Sequence, residues 1–312
     1  MQEKEHKFLN RSPLVSVVIP AYNAAGFIEK TLDSVRMQTF PDYEIIVVDD
    51  GSKDQTKEIV DKYLANYGLR GCCVRQDNKG IAGARNTCIA NSNGIYIALL
   101  DHDDIWYPDK LQRTVEEFRL HPETGLVSHH LQMVQNGKKV GVLKTGPASK
   151  KMYESILFSS RGSLLSPSAA SFKKEIAVSI GGFRENPEFN TSEDFDFWLR
   201  LSKVTVFRFI DEILGEYTII GTGASKRILY HCKSVEAVLK DHFTMGLGAN
   251  PSVITRIRMR KRYANLYRTI LNVLLQQKAP PEIQKEYFYK MLKNNPFNIK
   301  NIALAILWLF KR

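Results

Sequence analysis

Ile95-Tyr96-Ile97-Ala98-Leu99-Leu100-Asp101-His102-Asp103-Asp104 is the stretch on which the reading of this 312-residue chain turns. The run from Ile95 to Leu100 is apolar, carries two β-branched isoleucines and follows Asn93-Gly94, so it predicts a buried strand. Three carboxylates fall within the four residues at its C-terminal end. Carboxylates that crowded repel one another and raise their own pKa values unless a cation neutralises them. Oxygen donors at a strand end suit a hard divalent ion, Mg²⁺ or Mn²⁺, better than zinc. The competing reading is a solvated acidic turn before the next helix, and a lone D-x-D does not separate the two. His102 fills the variable position and is read as exposed.

Outward from this stretch, strands and helices alternate. Leu14 to Ile19 predicts a buried strand stopped by Pro20, with Ala21-Tyr22-Asn23 as its loop. Ile28, Leu32 and Val35 carry a helical period over 25–38. Glu44 to Val48 is a second strand, ending in Asp49-Asp50-Gly51-Ser52, and Asp54 is a candidate N-cap for a helix over 55–67. A short strand near Cys72 to Val74 leads through Asn78-Lys79-Gly80 to a helix containing Ala84-Arg85-Asn86. This alternation implies a parallel sheet with helices on both faces, whose ligands bind outside the carboxyl ends of the strands. Three of those ends carry Tyr22-Asn23, Asp49-Asp50 and Asp101-His102-Asp103, which makes the acidic triplet a candidate site.

Further on, Trp106-Tyr107-Pro108-Asp109 opens a helix to Leu120, and Asn136-Gly137 marks a hairpin. Ser159 to Ser171 reads as a loop, Gly181-Gly182-Phe183 as a turn, and Phe195 to Ser202 as a helix with Trp198 inward. Strands near 204–210 and 215–220 close the domain.

The apolar fraction of 44% and charged fraction of 25% are those of an ordinary soluble protein. The net charge of +11 is unevenly placed: residues 226–312 hold 17 Lys and Arg against 4 Asp and Glu, whereas 1–225 are slightly acidic. That break predicts a boundary near Gly221 to Ser225. The expected organisation is a polar leader at 1–13, a catalytic domain at 14–225 and a basic, mostly helical region at 226–312. No secretory signal is expected from the polar N-terminus, and the apolar run from Ile302 to Phe310 is too short to span a bilayer as a helix. Cys72, Cys73, Cys88 and Cys232 have neither a C-x-x-C spacing nor a disulfide pattern, as expected of a cytoplasmic protein.

Val17 to Asn23, Ile46 to Ser52, Asn78-Lys79-Gly80 with Ala84-Arg85-Asn86, Leu100 to Asp104, Gly181-Gly182-Phe183 and Glu193 to Arg200 together resemble the family 2 glycosyltransferases of the GT-A fold. The resemblance covers about residues 14–225. It implies a mixed, mostly parallel sheet flanked by helices, and a non-processive enzyme, since no Q-x-x-R-W signature is present. It implies transfer of a sugar from a nucleotide-diphospho-sugar, a UDP-sugar first of all, to an acceptor hydroxyl with inversion. Pro20, Ala21, Tyr22 and Asp50 would hold the base, Arg85 would lie near the nucleotide, and Asp101 near the ribose. Asp103 would ligate Mn²⁺ or Mg²⁺, and Asp194 would be the general base. Members of the family often end the domain with Tyr-Arg-x-His, whose His completes the metal shell; here Thr218 and Ile220 stand at the Arg and His positions.

Each residue also has a plainer reading. Asp194 could cap a helix, Tyr22 could be core, and Arg85 could pair with a surface carboxylate. The chemistry itself asks for a cation to neutralise a leaving diphosphate and a carboxylate to take the acceptor's proton. A sugar-phosphate nucleotidyltransferase is disfavoured, because no Gly-rich phosphate loop follows the first strand. The other alternative is a catalytically weak nucleotide-sugar-binding protein attached to the membrane surface.

The C-terminal region predicts a helix over 253–276 whose first half holds Arg256, Arg258, Arg260, Lys261 and Arg262. With Trp308, Phe310, Lys311 and Arg312 at the end, it suits an anionic membrane surface, as expected of an enzyme at the inner face of the plasma membrane acting on a glycan or lipid-linked glycan. A helical subdomain with solvated charges fits the same pattern, and no nucleic-acid-binding module is recognised.

Overall fold

The computed structural model describes residues 11–159, 164–220, 224–245, 247 and 250–310, without the side chains of 224–227 and 305–310. Most of the expected leader, residues 160–163 of the loop, residues 221–223 of the expected boundary, the Trp308 and Phe310 side chains, and Lys311 and Arg312 lie outside what is described.

The strands are β1 (Val15–Ala21), β2 (Tyr43–Asp49), β3 (Gly71–Arg75), β4 (Tyr96–Leu99), β5 (Ile105–Trp106), β6 (Thr124–Gln135), β7 (Lys138–Leu143), β8 (Ser171–Lys173) and β9 (Val206–Ile219). The helices are α1 (Ile28–Arg36), α2 (Thr56–Asn66), α3 (Gly80–Asn91), α4 (Lys110–Leu120), α5 (Met152–Leu157), α6 (Lys174–Ser179), α7 (Glu193–Leu201), α8 (Ala224–Met245), α9 (Val253–Gln276), α10 (Pro281–Asn294) and α11 (Ile299–Phe310). They fall into two compact units. One comprises 1–156, 163–185 and 196–220; the other comprises 157–162, 186–195 and 221–312.

The first unit is built on one sheet in the order β3-β2-β1-β4-β8-β6-β9-β5, with β7 paired to β6. From β3 to β4 all pairs are parallel, and β8 joins β4 and β6 antiparallel. The apolar strands are buried along their length: Val17, Val18, Ile19, Ile45, Val47 and Val48 have no exposed surface. Helix α1 lays Ile28, Leu32 and Val35 on this sheet, the three positions its period singled out. Asn136 (φ 50°) and Gly137 (φ 72°) make the predicted hairpin turn, both in the left-handed region that a primed turn requires. The two strands expected near 204–210 and 215–220 are a single strand, β9, lying parallel to β6.

Pro20 does not stop β1; the strand runs on to Ala21. Successive backbone groups of a strand point to alternate sides. Ala21 O accepts from Asp50 N on the β2 side, whereas Val18 O accepts from Leu100 N on the β4 side, and so Pro20 also faces β4. The β4 pairing ends at Val18 opposite Leu99, so the amide hydrogen that proline lacks has no ladder partner to lose.

In the second unit, α9 buries Ala264, Tyr267, Ile270, Leu271 and Leu274. Much of its basic half is spent internally. Arg262 is buried and donates to Leu157 O (3.3 Å), Arg260 donates to Lys293 O (2.7 Å), and the Arg258 guanidinium lies 4.0 Å from the Phe158 ring centroid. Arg256 and Lys261 are exposed, as are Val253 and Ile254 beside them. None of the described helices is long and apolar enough to cross a membrane.

Candidate active site

Strands β1 and β2 run in register from Val15 opposite Tyr43 to Ala21 opposite Asp49, so Tyr22 and Asp50 leave the sheet side by side. The loops they enter are tied together. Asn23 N donates to Ser52 Oγ (2.9 Å), Lys53 N to Asn23 Oδ1 (2.9 Å), Ala24 N to Thr56 Oγ1 (2.8 Å) and Ala25 N to Asp54 Oδ2 (3.0 Å). Asp54 also accepts from Thr56 N, so it serves the start of α2 as expected, from one position before the N-cap residue Gln55.

Asp50 is buried, and its Oδ1 accepts from both Gln76 Nε2 (2.7 Å) and Lys79 N (2.9 Å). Among the described residues no donor reaches Oδ2. Gly51 takes φ +78°, and a Cβ there would lie 3.0 Å from Asn78 N, so the turn is built for glycine. Pro20, Ala21, Tyr22, Asp50 and His102, with the first turns of α3, line a cleft of about 190 Å³. Tyr22 is 44% exposed, a ring in the cleft rather than in the core. His102 is half-buried instead of exposed, because its Nδ1 lies 3.2 Å from Pro20 O and draws the ring into the cleft wall.

The acidic corner divides its three carboxylates among three environments. Asp101 accepts from Arg85 Nη2 at 2.9 Å; Arg85 is almost wholly buried and its guanidinium lies 5.4 Å from the Phe183 ring centroid. Arg85 thus pairs with a carboxylate, but with one that is itself a candidate site residue rather than one on an unrelated surface. Asp104 is buried: its Oδ2 is 2.5 Å from Ser168 Oγ, and its Oδ1 accepts from Thr218 N at 2.8 Å. Burial, then the nearby Asp101 and Asp103, push its carboxyl well above the usual carboxylate range. Asp104 thus clamps the turn and has little left for a ligand. Asp103 is half-buried, no side chain among the described residues donates to it, and desolvation is the chief cause of its raised pKa. A half-buried carboxylate beside another carboxylate, with no Lys or Arg among the described residues paired to it, is the donor chemistry that a divalent ion fits.

Ser168 was not legible in the sequence as part of this corner. It accepts Asp101 N–H (3.0 Å) at the hydroxyl that binds Asp104, while its carbonyl accepts Trp106 Nε1 (2.7 Å). Its only signal was a place inside a Ser-rich loop. Thr218 contributes its backbone N–H rather than a side chain, and Ile220 is exposed at the end of β9.

Pro20, Ala21, Tyr22, Asp50, Arg85, Asp101 and Asp103 therefore all belong to the first unit, around the aligned ends of β1, β2 and β4. Asp194 belongs to the second unit. It stands in the first turn of α7, with Oδ1 accepting from Phe195 N at 2.7 Å. Trp198, expected inward, is fully buried in a cluster with Phe172, Phe183 and Phe197.

The chain is 30% identical over 214 residues to an uncharacterized glycosyltransferase of Rickettsia prowazekii, covering 65% of this chain and 63% of that one. It therefore spans just under two thirds of that relative's length. It is 30% identical over 217 residues to the putative teichuronic acid biosynthesis glycosyltransferase TuaG of Bacillus subtilis, covering 69% and 83%. Residues 1–349 of Staphylococcus aureus TarS in complex with UDP share the fold with a TM-score of 0.57 at 19% identity, over 90% of this chain and 88% of that one. This likeness makes the fold that of the GT-A glycosyltransferases. The family model described as "Glycosyl transferase family 2" matches residues 16–176, a span holding β1 to β4, the tied loops and the acidic corner, and the chain belongs to that family.

Proposed function

We propose that the protein is an inverting glycosyltransferase that moves a sugar from a nucleotide-diphospho-sugar, first of all a UDP-sugar, to an acceptor hydroxyl in the synthesis of a cell-surface polysaccharide or glycolipid. The observation that carries this reading is the cleft where Tyr22 offers an aromatic face and Asp50 a free carboxylate oxygen, next to the Asp101–Asp103 corner. The UDP-bound TarS structure and the teichuronic acid relative support it.

In this reading Pro20, Ala21, Tyr22 and Asp50 hold the base, Asp50 accepting from a ring N–H. Arg85 fixes the Asp101 carboxylate toward the ribose. Asp103, with Asp101 beside it, would hold Mn²⁺ or Mg²⁺, which would supply neutralising charge to the leaving diphosphate. Asp194 takes the proton of the acceptor hydroxyl as it attacks, and its place in the first turn of a helix favours the ionised form a base needs. The exposed Val253, Ile254, Arg256 and Lys261 of α9 would rest on an anionic membrane surface at the inner face of the plasma membrane.

The test is a panel of nucleotide sugars with Mn²⁺ or Mg²⁺, using wild type, Asp103→Ala and Asp194→Asn. Asp103→Ala should abolish the metal-dependent part of UDP binding. Asp194→Asn should keep UDP binding and lower transfer by at least about 100-fold, the usual contribution of a general base. Turnover that survives both substitutions would overturn these assignments. Sedimentation with phosphatidylglycerol vesicles tests the membrane surface, which predicts weaker binding for Arg256→Glu/Lys261→Glu; unchanged binding would refute it.

A further inference from the structure

Helix α9 carries an apolar stripe that outruns its own packing. Ala264 and Leu271 on that stripe are fully buried, whereas Ile257, on the same face two turns before Ala264, is exposed together with Val253 and Ile254. Arg260, one turn on from Ile257, donates to Lys293 O (2.7 Å), which brings the end of α10 against this part of α9. Past that contact the chain turns its apolar side chains outward: Phe297 is 91% and Ile299 82% exposed. Helix α11 then buries Asn301 and Leu304 and leaves Ile302 outside. Its inner side is fixed, since Arg268 Nη1 donates to Asn301 Oδ1 (3.0 Å) and Asn301 Nδ2 to Asn295 O (2.9 Å). The packing of Asn301 thus holds the corner between α10 and α11 with its apolar side to water.

The charges around this corner are of one sign. Arg256, Lys261, Lys293 and Lys300 are exposed, and the sequence holds no Asp or Glu over 242–281 or 287–312. Large apolar side chains gathered in water mark a surface made to be covered. A second copy of the chain would set this basic rim against its own, and a nucleic acid would leave the isoleucines uncovered. An anionic phospholipid bilayer meets both demands, because its headgroups pair with the rim and its acyl boundary takes the apolar side chains. We propose that the α10–α11 corner inserts Phe297 and Ile299 into the membrane interface, so that the chain is held by apolar burial as well as by charge. This rests on the membrane reading above, to which it adds an anchor that salt does not screen.

The experiment is flotation of the full chain with vesicles of phosphatidylcholine and phosphatidylglycerol in equal parts, at about 0.1 M and about 1 M NaCl. Wild type should stay on the vesicles at the higher salt, where charges are screened beyond about 3 Å. Phe297→Ser/Ile299→Ser removes side chains that the fold leaves exposed; it should bind at least about tenfold more weakly and lose the salt-resistant part. Arg256→Glu/Lys261→Glu should weaken binding mainly at the lower salt. In Phe297→Trp, brominated phosphatidylcholine should quench the emission that the variant adds to that of wild type. Wild type released by the higher salt, Phe297→Ser/Ile299→Ser that binds as wild type does, or unquenched Phe297→Trp emission overturns insertion while leaving attachment by charge standing. Self-association in solution that Phe297→Ser/Ile299→Ser abolishes would give the corner to a second copy and overturn the proposal as well. Wild type that binds the vesicles at neither salt removes both readings.

Discussion

Replacing Ser168 by alanine removes one hydroxyl and unpairs two groups. Asp101 N–H loses its acceptor and Asp104 Oδ2 its donor, both around a serine with no exposed surface. Leaving a buried polar group without its partner costs about 1–3 kcal/mol, so unpairing two should make Ser168→Ala destabilise the fold by about 2–6 kcal/mol. The penalty should depend on pH. The Ser168 bond lowers a carboxyl that burial holds high, so its loss raises the Asp104 pKa further. A carboxyl raised in the folded state loses stability as pH climbs from its unfolded pKa to its folded one, and in the mutant that loss continues to a higher pH. The gap between mutant and wild type should therefore widen as pH increases. Urea unfolding of both proteins across pH measures it, and Asp104→Asn supplies the second arm of a double-mutant cycle. Asp101 is held by the same serine, so UDP binding in the proposed cleft should also weaken. A change below about 0.5 kcal/mol at every pH, the scale of ordinary surface substitutions, would refute the clamp.

Gly51→Ala places a Cβ 3.0 Å from Asn78 N at φ +78°, and should cost about 1–3 kcal/mol in denaturant unfolding and weaken UDP binding through Asp50. Burial pushes the His129 imidazole down to about 3, so it is neutral in the fold, whereas an unfolded histidine takes up a proton below about pH 6.5. Stability relative to His129→Leu should then fall by about 1.4 kcal/mol per unit as pH drops from about 6.5 toward 3, and a parallel pair of curves would contradict this. Lys110 is fully buried, its Nζ bonded to Ser171 Oγ (2.8 Å) and 3.7 Å from the Trp106 ring centroid, and burial holds its pKa well below the usual lysine range. The unfolded chain binds that proton more readily near neutrality, so Lys110→Met should raise the thermal midpoint at pH 7 and reduce the gain in stability seen as pH rises toward 10.

Much of the first unit was legible because its signals are local. Short β-branched apolar runs bounded by turn signals read as strands buried on both faces, Asn136-Gly137 matches one turn geometry, and the 3.6-residue period of Ile28, Leu32 and Val35 fixes the buried side of α1. Pro20 was misread as a stop because its missing hydrogen matters only if a neighbouring strand is there to receive it, and where β4 ends is a property of the sheet. The basic half of α9 was legible as charge but not as chemistry. Whether Arg262, Arg260 and Arg258 face solvent or bind a carbonyl or a ring depends on what packs beside them.

The candidate site divides along the same line. By itself the sequence determined which chemical groups stand at the strand ends, since Tyr22, Asp50 and the triplet Asp101, Asp103 and Asp104 each follow directly on an apolar run. It could not rank the three carboxylates. Only the tertiary structure gave Asp101 to Arg85 and Asp104 to Ser168 and Thr218, left Asp103 without a side-chain donor among the described residues, and turned His102 into the cleft. Those partners lie from 16 to 114 residues away along the chain, and a partner that distant is chosen by how the sheet stacks its strands rather than by any local pattern.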